Sequence, residues 1–398
     1  MEHENPKVTV GLAVYNGENH GLRECLESIL EQDYANIEVI ISDNASTDHT
    51  AQLCLEFAAK DHRIRFYQHE TNLGAVKNFY RVLHLCTTPF FKWADHGDTL
   101  KPAYISSCMK RMVNDDAIVL CYPRTLMVHE NGTTEIANDH VNAVDDSPVD
   151  RYLHVISELC YCNAAYGLMR TSMIREIRIG DQECKGADGV ILAEIALRGK
   201  IAQIDDVLYV TKRDKKWSLG IEEQTARICR MNTPNDMNRG ITFPFCRMVG
   251  EYLQTVRFSS LSESDKVFLY EQTMKIPGRT YFPRMRDEIK RAIELIHQRR
   301  FDHNWGDPND GAVRQLDPKK KALYYYYAAE ILKRFEEVLC VCPQFNEPGL
   351  HYARAICLTV MDRFAEAVAA LRLELARFPE FEPARRQLSV LEQMMARR

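Results

Sequence analysis

The first hundred residues alternate short apolar runs with amphipathic segments. VTVGLAV, IEVIISD, IRFYQH and FFKWAD are rich in β-branched and aromatic residues, which predicts strands over Val8–Val14, Ile37–Asp43, Ile64–His69 and Phe90–Asp95. The intervening segments place apolar residues at helical spacing and predict helices after Leu22, over Thr50–Ala59 and from about Ala75. This alternation predicts a largely parallel sheet covered by helices on both faces.

The alternation weakens after about Ile118. IVLCYP predicts a further strand, and Asn131-Gly132 predicts a turn between two short segments. NDHVNAVDDSPVD is polar and predicts a loop, NAAYGLMR a strand, DGVILAEIALRGK a helix ending at Gly199, and IAQIDDVLYVTKRDKKW a strand with a basic end. Residues 222–303 are expected to be helical and irregular, with breaks at Pro234, Pro244, Pro277 and Pro283.

The carboxyl-terminal segment contains an internal echo. Pro343 and Pro379 are 36 positions apart, as are Phe345 and Phe381, and two amphipathic segments lie between them. Paired helices at such a period are typical of tetratricopeptide repeats, which often present a groove for a peptide or partner helix. A helical bundle that only completes the fold is the alternative interpretation.

Composition narrows the class of protein. The chain has 398 residues, a formal net charge of −5 and 45% hydrophobic residues, which indicates a globular protein without the basic excess of a nucleic-acid binder. No apolar run approaches the roughly 20 residues of a membrane helix, and the start, MEHENPKVTV, is unlike a signal peptide. The 13 cysteines include no C-x-x-C motif, only the pairs Cys160/Cys162 and Cys340/Cys342. Buried thiols and a cytoplasmic location are therefore expected.

Acidic residues follow two of the predicted strands. Asp43 and Asp95 stand at strand ends, and ligands of such sheets bind outside the carboxyl ends of the strands. In WADHGD, Asp95 and Asp98 flank a His-Gly pair. Two carboxylates at this spacing can hold a divalent cation or can simply form a polar turn that caps a strand.

Four segments, in the order VTVGLAVYNG, LRECLESILEQDYANIEVIISDNASTD, NLGAVKNF and FFKWADHGD, resemble the amino-terminal half of a family 2 glycosyltransferase. YCNAAYGLMRTSMIRE and GADGVILAEIALRGK resemble its acceptor half, so the resemblance covers about residues 6–220. It implies an α/β protein with the GT-A fold, a Rossmann-like mixed sheet, followed by an all-α carboxyl-terminal region. A G-x-G-x-x-G dinucleotide motif is absent. The expected domains are a GT-A domain over 1–221, a helical extension over 222–315 and a tetratricopeptide-like region over 316–398.

The resemblance also implies a donor site for a nucleoside-diphosphate sugar, most simply a UDP-sugar. It places the base along Ala13, Val14, Tyr15 and Asn16, with Asp43 on the base or ribose. Near the phosphates it places Asn72 and Lys77. After the last strand, Arg213 or Lys216 would supply a cation to the diphosphate, while Trp217 either stacks on a sugar or packs.

Metal and base assignments follow the same resemblance. Asp98 matches the last acid of the family's D-x-D motif and would bind Mn²⁺ or Mg²⁺, and Asp95 would contact the sugar or support the loop. His96-Gly97 departs from the motif, so a metal-free, hydrogen-bonding site is the alternative. Asp188 is the expected catalytic base of an inverting transfer, with helix capping as its alternative role and Glu194 as a second choice of base.

The sequence is thus interpreted as a glycosyltransferase that inverts the anomeric carbon and acts on a hydroxyl of a glycan or lipid-linked glycan. A peptide glycosyltransferase, S- or O-linked, that uses its tail for acceptor or homodimer contacts is an alternative, and a non-catalytic scaffold is another. Neither a nucleic-acid partner nor a transmembrane segment is expected.

Overall fold

The structure is a computed structural model that describes residues 5–178, 186–213, 244–278 and 348–396, together with positions 281, 283–285, 287–288, 329, 332–333 and 336. The chain divides into two compact units. The first comprises Met1–Met237 and Glu251–Pro277, and the second comprises Asn238–Gly250 and Gly278–Arg398.

A mixed sheet of nine strands forms the first unit. The strands are β1 (Val8–Val14), β2 (Ile37–Asp43), β3 (Ile64–Gln68), β4 (Phe90–Ala94), β5 (Thr99–Leu100), β6 (Ile118–His129), β7 (Thr134–Ile136), β8 (Leu168–Arg170) and β9 (Lys200–Arg213). Their order is β3-β2-β1-β4-β8-β6-β9-β5, with β7 beside β6. The four strands from β3 to β4 are parallel, as predicted, whereas β8 and β5 run antiparallel to their neighbours.

The helices of this unit are α1 (Leu22–Leu30), α2 (Thr50–Lys60), α3 (Ala75–Leu85), α4 (Tyr104–Val113), α5 (Pro148–Glu158), α6 (Thr171–Ile174) and α7 (Ala187–Arg198). They are followed by α8 (Pro244–Arg257), which spans the unit boundary, and α9 (Glu263–Thr273). The apolar stripe of α1, including Leu22, Leu26 and Ile29, is buried in the same apolar core as residues of β1 and β2. Burial of such stripes, rather than helix propensity, supplies most of the helical stability.

The two halves of the sheet meet along a very short ladder. Strands β4 and β8 share only two residue pairs, Phe90 with Arg170 and Phe91 with Met169. The ladder stops because residues Asn163–Tyr166 form a 3₁₀ helix, where NAAYGLMR had predicted a continuous strand. Cys162 precedes this turn at φ 59°, and the buried Asp139 carboxylate accepts a hydrogen bond from Asn163 N at 3.0 Å. These tertiary contacts override the strand preference of the segment.

In the second unit, α10 (Leu350–Val360) and α11 (Phe364–Arg377) confirm the two predicted amphipathic helices, and α12 (Glu382–Ala396) follows them. Glu374 of α11 is fully buried and accepts hydrogen bonds from Gly349 N at 2.6 Å and His351 N at 2.8 Å. The carboxylate thus satisfies amides at the start of α10, which would otherwise be buried without partners. The first member of the echo, around Pro343, lies outside the described residues, so the tetratricopeptide assignment stays a prediction.

Gly11 gives a test of the packing between β1 and α3. A Cβ at this position would lie 2.7 Å from the Phe91 ring and 2.8 Å from Val82 Cγ2. We expect Gly11→Ala to overpack this contact and lower the free energy of unfolding by about 1–3 kcal/mol. Urea unfolding measures the loss, and adding Phe91→Leu should recover part of it. Unchanged stability in Gly11→Ala would contradict the close approach.

Candidate active site

Two loops at the carboxyl ends of β1 and β2 are tied together by hydrogen bonds. Asn16 adopts φ 49°, its N–H donates to Ser46 Oγ at 2.9 Å, and its Oδ1 accepts from Thr47 N at 2.8 Å. The N–H of Gly17 donates to Thr50 Oγ1 at 2.7 Å. Ala13 and Val14 are buried at the end of β1, whereas Tyr15 is 43% exposed. The segment expected to bind the base therefore presents one aromatic side chain on a fixed backbone.

Asp43 ends β2 beneath these loops and is fully buried. Its carboxylate accepts hydrogen bonds from the Ser46 hydroxyl and, at 2.8 Å, from Gln68 Nε2. Each carboxylate oxygen has two acceptor positions, so these bonds leave acceptor capacity on the Asp43 carboxylate.

Asn72 also lies at this edge. It exchanges hydrogen bonds with the loop after β2, since Asn44 Nδ2 donates to Asn72 Oδ1 at 2.9 Å while Leu73 N donates to Asn44 Oδ1 at 2.8 Å. Lys77 is exposed in the first turn of α3. The structure thus brings the loops that contain Asn16, Asp43 and Asn72 together at the sheet edge.

The WADHGD segment forms a tight turn after β4. Asp95 O accepts from Asp98 N at 3.1 Å, and Asp95 Oδ1 accepts from Gly97 N at 3.2 Å. Strand β5 follows at once and pairs with β9, Thr99 opposite Val210 and Leu100 opposite Tyr209. This register carries Asp98 to the hydroxyls of Tyr209 and Thr211, which both hydrogen-bond its carboxylate. The segment is therefore more than a strand cap.

Burial and, next, the nearby charge of Asp95 raise the pKa of Asp98 to about 6, against the hydrogen bonds from Tyr209 and Thr211, which lower it. A hard divalent cation stabilises the ionised form of a buried carboxyl group that lies beside a second carboxylate. No group of three or more His, Cys, Asp or Glu side chains placed to hold a metal occurs within the described residues. The donor chemistry of Asp95 and Asp98 still fits such a cation, with other ligands from the substrate or water.

Asp188 lies in the first turn of α7, where Gly186 at φ 72° is the N-cap, so Asp188 is not the capping residue. The Asp188 residue is exposed, but nearby protein displaces part of the water around its carboxyl group. This desolvation, together with the charge of Asp95, raises the pKa of Asp188 to about 6. A carboxyl group with a pKa of about 6 is ionised at neutral pH and is a stronger base than an ordinary aspartate.

Tyr166 connects the three acids. Burial raises its pKa well above the usual range, followed by the charges of Asp95, Asp188 and Asp98. All three carboxylates are therefore close to this one phenol, although they come from the loop after β4 and from α7. The Tyr166 ring also stacks on Tyr209 at 6.1 Å.

Glu194, the second choice of base, has other partners. Its buried carboxylate accepts from Arg198 Nη2 at 2.9 Å and from Arg178 N at 3.2 Å. These bonds occupy Glu194 in a structural ion pair and favour Asp188 as the reactive acid.

Basic and imidazole groups surround the WADHGD turn. The His96 ring lies against Gly17 and 6.4 Å from His20, with Nδ1 3.4 Å from Asp95 Oδ1. Lys212 is exposed, and its Nζ would lie 3.6 Å from a Cβ at Gly21, beside Gly97. The sequence analysis proposed Arg213 or Lys216 as the cation that would face the diphosphate. The Arg213 side chain, Lys216 and Trp217 lie outside the described residues.

The sequence analysis did not identify several of these residues as parts of the site. Tyr166, Tyr209 and Lys212 carry no motif, and only the fold brings them to the carboxylates. Lys92 did leave a signal, because a lysine inside the apolar run FFKWA has no place in an ordinary buried strand.

Comparison with known proteins agrees with this geometry. Residues 9–137 match the family described as Glycosyl transferase family 2. Residues 9–137 are thus similar to a family 2 glycosyltransferase domain. GlyA, a glycosyltransferase of Streptococcus pneumoniae, is 36% identical over 112 residues, 28% of this chain and 16% of GlyA. EpsH of Bacillus subtilis is 26% identical over 208 residues, 52% of this chain and 55% of EpsH. The chain thus covers less than two thirds of either relative.

Solved structures show the fold of this glycosyltransferase domain. Residues 1–349 of S. aureus TarS in complex with UDP superpose with a TM-score of 0.51 at 16% identity, over 90% of each chain. The complex of TarS with UDP-GlcNAc gives a TM-score of 0.50. The fold is the predicted GT-A fold followed by a helical carboxyl-terminal region. Among the described residues, no helix has the length and apolar character needed to cross a membrane.

The pKa of Asp98 predicts a pH-dependent stability. The pKa of Asp98 is about 6 in the folded protein and 3.8 for a free carboxyl group, so the protonated form of Asp98 favours the folded state. This contribution to the free energy of unfolding is complete below pH 3.8 and is lost as the pH rises through 6. Asp98→Asn should therefore raise the melting temperature at pH 8, with a gain that shrinks toward pH 4.5. Thermal unfolding in EDTA measures this gain. Asp206→Asn, at an exposed carboxyl group of β9, is the control, and an equal gain at both pH values would contradict the prediction.

Proposed function

We propose that the chain transfers a sugar from a nucleoside-diphosphate donor to an acceptor hydroxyl with inversion at the anomeric carbon. The observation that carries this proposal is the convergence of Asp95, Asp98 and Asp188 around Tyr166, with a pKa of about 6 at Asp188. An inverting transfer needs a base on the acceptor side and a site for anionic diphosphate on the other. The loop after β4 and the first turn of α7 supply these two sides.

The donor occupies the carboxyl ends of β1, β2 and β4 in this proposal. Tyr15 and the Asn16 loop lie along the base, Asp43 accepts from base or ribose, and Asn72 and Lys77 lie toward the phosphates. Lys212 joins Arg213 as a candidate cation for the diphosphate, because its ammonium lies beside the WADHGD turn. A UDP-sugar is the proposed donor; the TarS structures of the same fold contain UDP and UDP-GlcNAc.

Asp98, supported by Asp95, is the proposed holder of Mn²⁺ or Mg²⁺. A bound cation of this kind neutralises charge on the leaving diphosphate. Tyr209 and Thr211 fix the Asp98 carboxylate by hydrogen bonds, and Gly97 N fixes Asp95. On the acceptor side, Asp188 takes the hydroxyl proton as the acceptor oxygen attacks the anomeric carbon, and the sugar–phosphate bond breaks on the opposite side.

The proposed acceptor is a glycan or lipid-linked glycan. A peptide acceptor or a second subunit held by the tail is a second candidate, supported by the exposed Leu373 on α11 and Met395 on α12. The clustering of three acids with raised pKa values at two of them supports an enzyme over a scaffold, since scaffolding needs no such arrangement.

A donor panel tests the function. UDP-, GDP- and dTDP-sugars are added to the pure protein with and without Mn²⁺, and the melting temperature and slow donor hydrolysis are recorded. The true donor stabilises the fold by mass action, by about 2.7 kcal/mol at a hundredfold excess over its Kd. A protein that neither binds nor hydrolyses any donor would refute the proposal.

Replacement of the base should separate catalysis from binding. Asp188→Asn keeps size and polarity but cannot accept the proton, so we expect transfer to fall about 10²–10⁴-fold with donor affinity unchanged. Wild-type kcat should also fall below about pH 6 as Asp188 becomes protonated. Steady-state kinetics and a donor-binding isotherm measure both effects. Glu194→Gln is the matched variant, and an equal loss there would move the base role to Glu194.

Metal removal tests Asp98. EDTA should lower turnover and Mn²⁺ or Mg²⁺ should restore it, while Asp98→Asn should raise the metal concentration for half-maximal activity at least about tenfold. Asp206→Asn should leave that concentration unchanged. Full activity in EDTA would instead support the metal-free, hydrogen-bonding alternative.

A further inference from the structure

Lys92 is a fully buried cation in the middle of β4. No carboxylate within the described residues forms an ion pair with it. Its Nζ donates to Trp93 O at 3.0 Å and to Tyr166 O. It also lies over the rings of Tyr104 and Tyr209, 4.5 and 5.2 Å from their centroids. Burying an ammonium is costly, so its retention here asks for a reason beyond packing.

The hydrogen bonds from Lys92 take the place of strand pairing that is missing beside β4. The ladder between β4 and β8 ends at Phe91, so the strand beyond this point has no strand neighbour on that side. Beyond this point the carbonyls of Trp93 and Tyr166 accept hydrogen bonds from Lys92 Nζ, and an unpaired buried carbonyl costs about as much as a lost hydrogen bond. One ammonium satisfies both carbonyls and joins the donor-side half of the sheet to the 3₁₀ turn of the acceptor-side half.

The residues that Lys92 contacts are also neighbours of the three acids. The Tyr166 carbonyl also accepts a hydrogen bond from the Tyr104 hydroxyl at 2.9 Å, so two donors, Lys92 and Tyr104, hold this turn in place. The 3₁₀ turn that contains Tyr166 packs against α7, the helix that carries Asp188, and the charges of Asp95, Asp98 and Asp188 all act on the Tyr166 phenol. The Tyr209 ring, which Lys92 contacts, carries the hydroxyl that holds Asp98. A change in the position of Lys92 Nζ would therefore shift both the Tyr166 turn and the Tyr209 ring beside Asp98. The Lys92 charge also favours the ionised form of Asp98 and so lowers its pKa.

We infer that Lys92 is a positioning residue, which clamps the Tyr166 carbonyl and thereby sets the spacing between the donor-side acids and Asp188. The inference rests on the proposed function and deepens it. Lys92 itself touches no substrate. Its contribution is to the geometry of the reacting groups, where a misplacement of about 1 Å costs roughly 100-fold in rate.

Kinetics on three variants test the clamp. Lys92→Met removes the charge and both donated bonds, and we expect kcat for transfer to fall about 10- to 100-fold while the donor KM stays unchanged. Lys92→Arg keeps the charge and donors and should restore part of kcat. Phe91→Leu on the same strand controls for lost stability, and it should keep wild-type kcat. Unchanged kcat in Lys92→Met, or an equal loss in Phe91→Leu, would overturn the inference.

A second measurement needs no turnover. Tyr104→Phe removes the other donor to the Tyr166 carbonyl, and the melting temperatures of Lys92→Met, Tyr104→Phe and the double variant form a cycle. Because both donors serve one acceptor, their effects should be non-additive; additive losses would overturn the clamp. If Lys92→Met does not fold, Tyr104→Phe carries the kinetic test, and unchanged kcat in it contradicts the inference. A wild-type protein without turnover, combined with a non-additive cycle, would refute the proposed function and leave the clamp standing.

Discussion

Removal of carboxyl groups from water, reinforced by repulsion between like charges, is the constraint around which this site is built. The charges of Asp95, Asp98 and Asp188 act on one another's surroundings, and the pKa values of Asp98 and Asp188 are both about 6. The main cause is that protein displaces water from these two carboxyl groups, and the charge on Asp95 adds to it. The fold sustains this crowding by fixing each carboxylate from outside: hydroxyls from β9 hold Asp98, a backbone amide holds Asp95, and α7 carries Asp188. Sites that tolerate such strain are commonly sites of chemistry.

Much of the architecture could be predicted because it depends on local patterns. Continuous apolar runs identified the four parallel strands, and helical spacing identified α1, α2 and α3 within one or two residues. The positions of Asp43 and Asp95 at strand ends followed from these boundaries. Such features need only the periodicity of burial, which a single sequence displays.

The remaining features depend on contacts between distant segments. The NAAY segment has strand-like composition, yet Asp139 and Lys92 bind it as a 3₁₀ turn. Tyr166 enters the site only because this turn forms. Lys212 and Arg213 are neighbours in one basic cluster, and the cluster alone did not show that the Lys212 ammonium lies beside the WADHGD turn. No local pattern could reveal these relations, since they arise when β9 pairs with β5 and β6.

The two-pair ladder between β4 and β8 has a consequence for how such proteins diversify. The strands β3, β2, β1 and β4 form one half of the sheet, and the ladder that joins them to the other half has two residue pairs, beside which Lys92 donates to the Tyr166 carbonyl. Because so few backbone pairs join the two halves, the seam between β4 and β8 is a natural point at which one half of the sheet could be exchanged for that of a related protein.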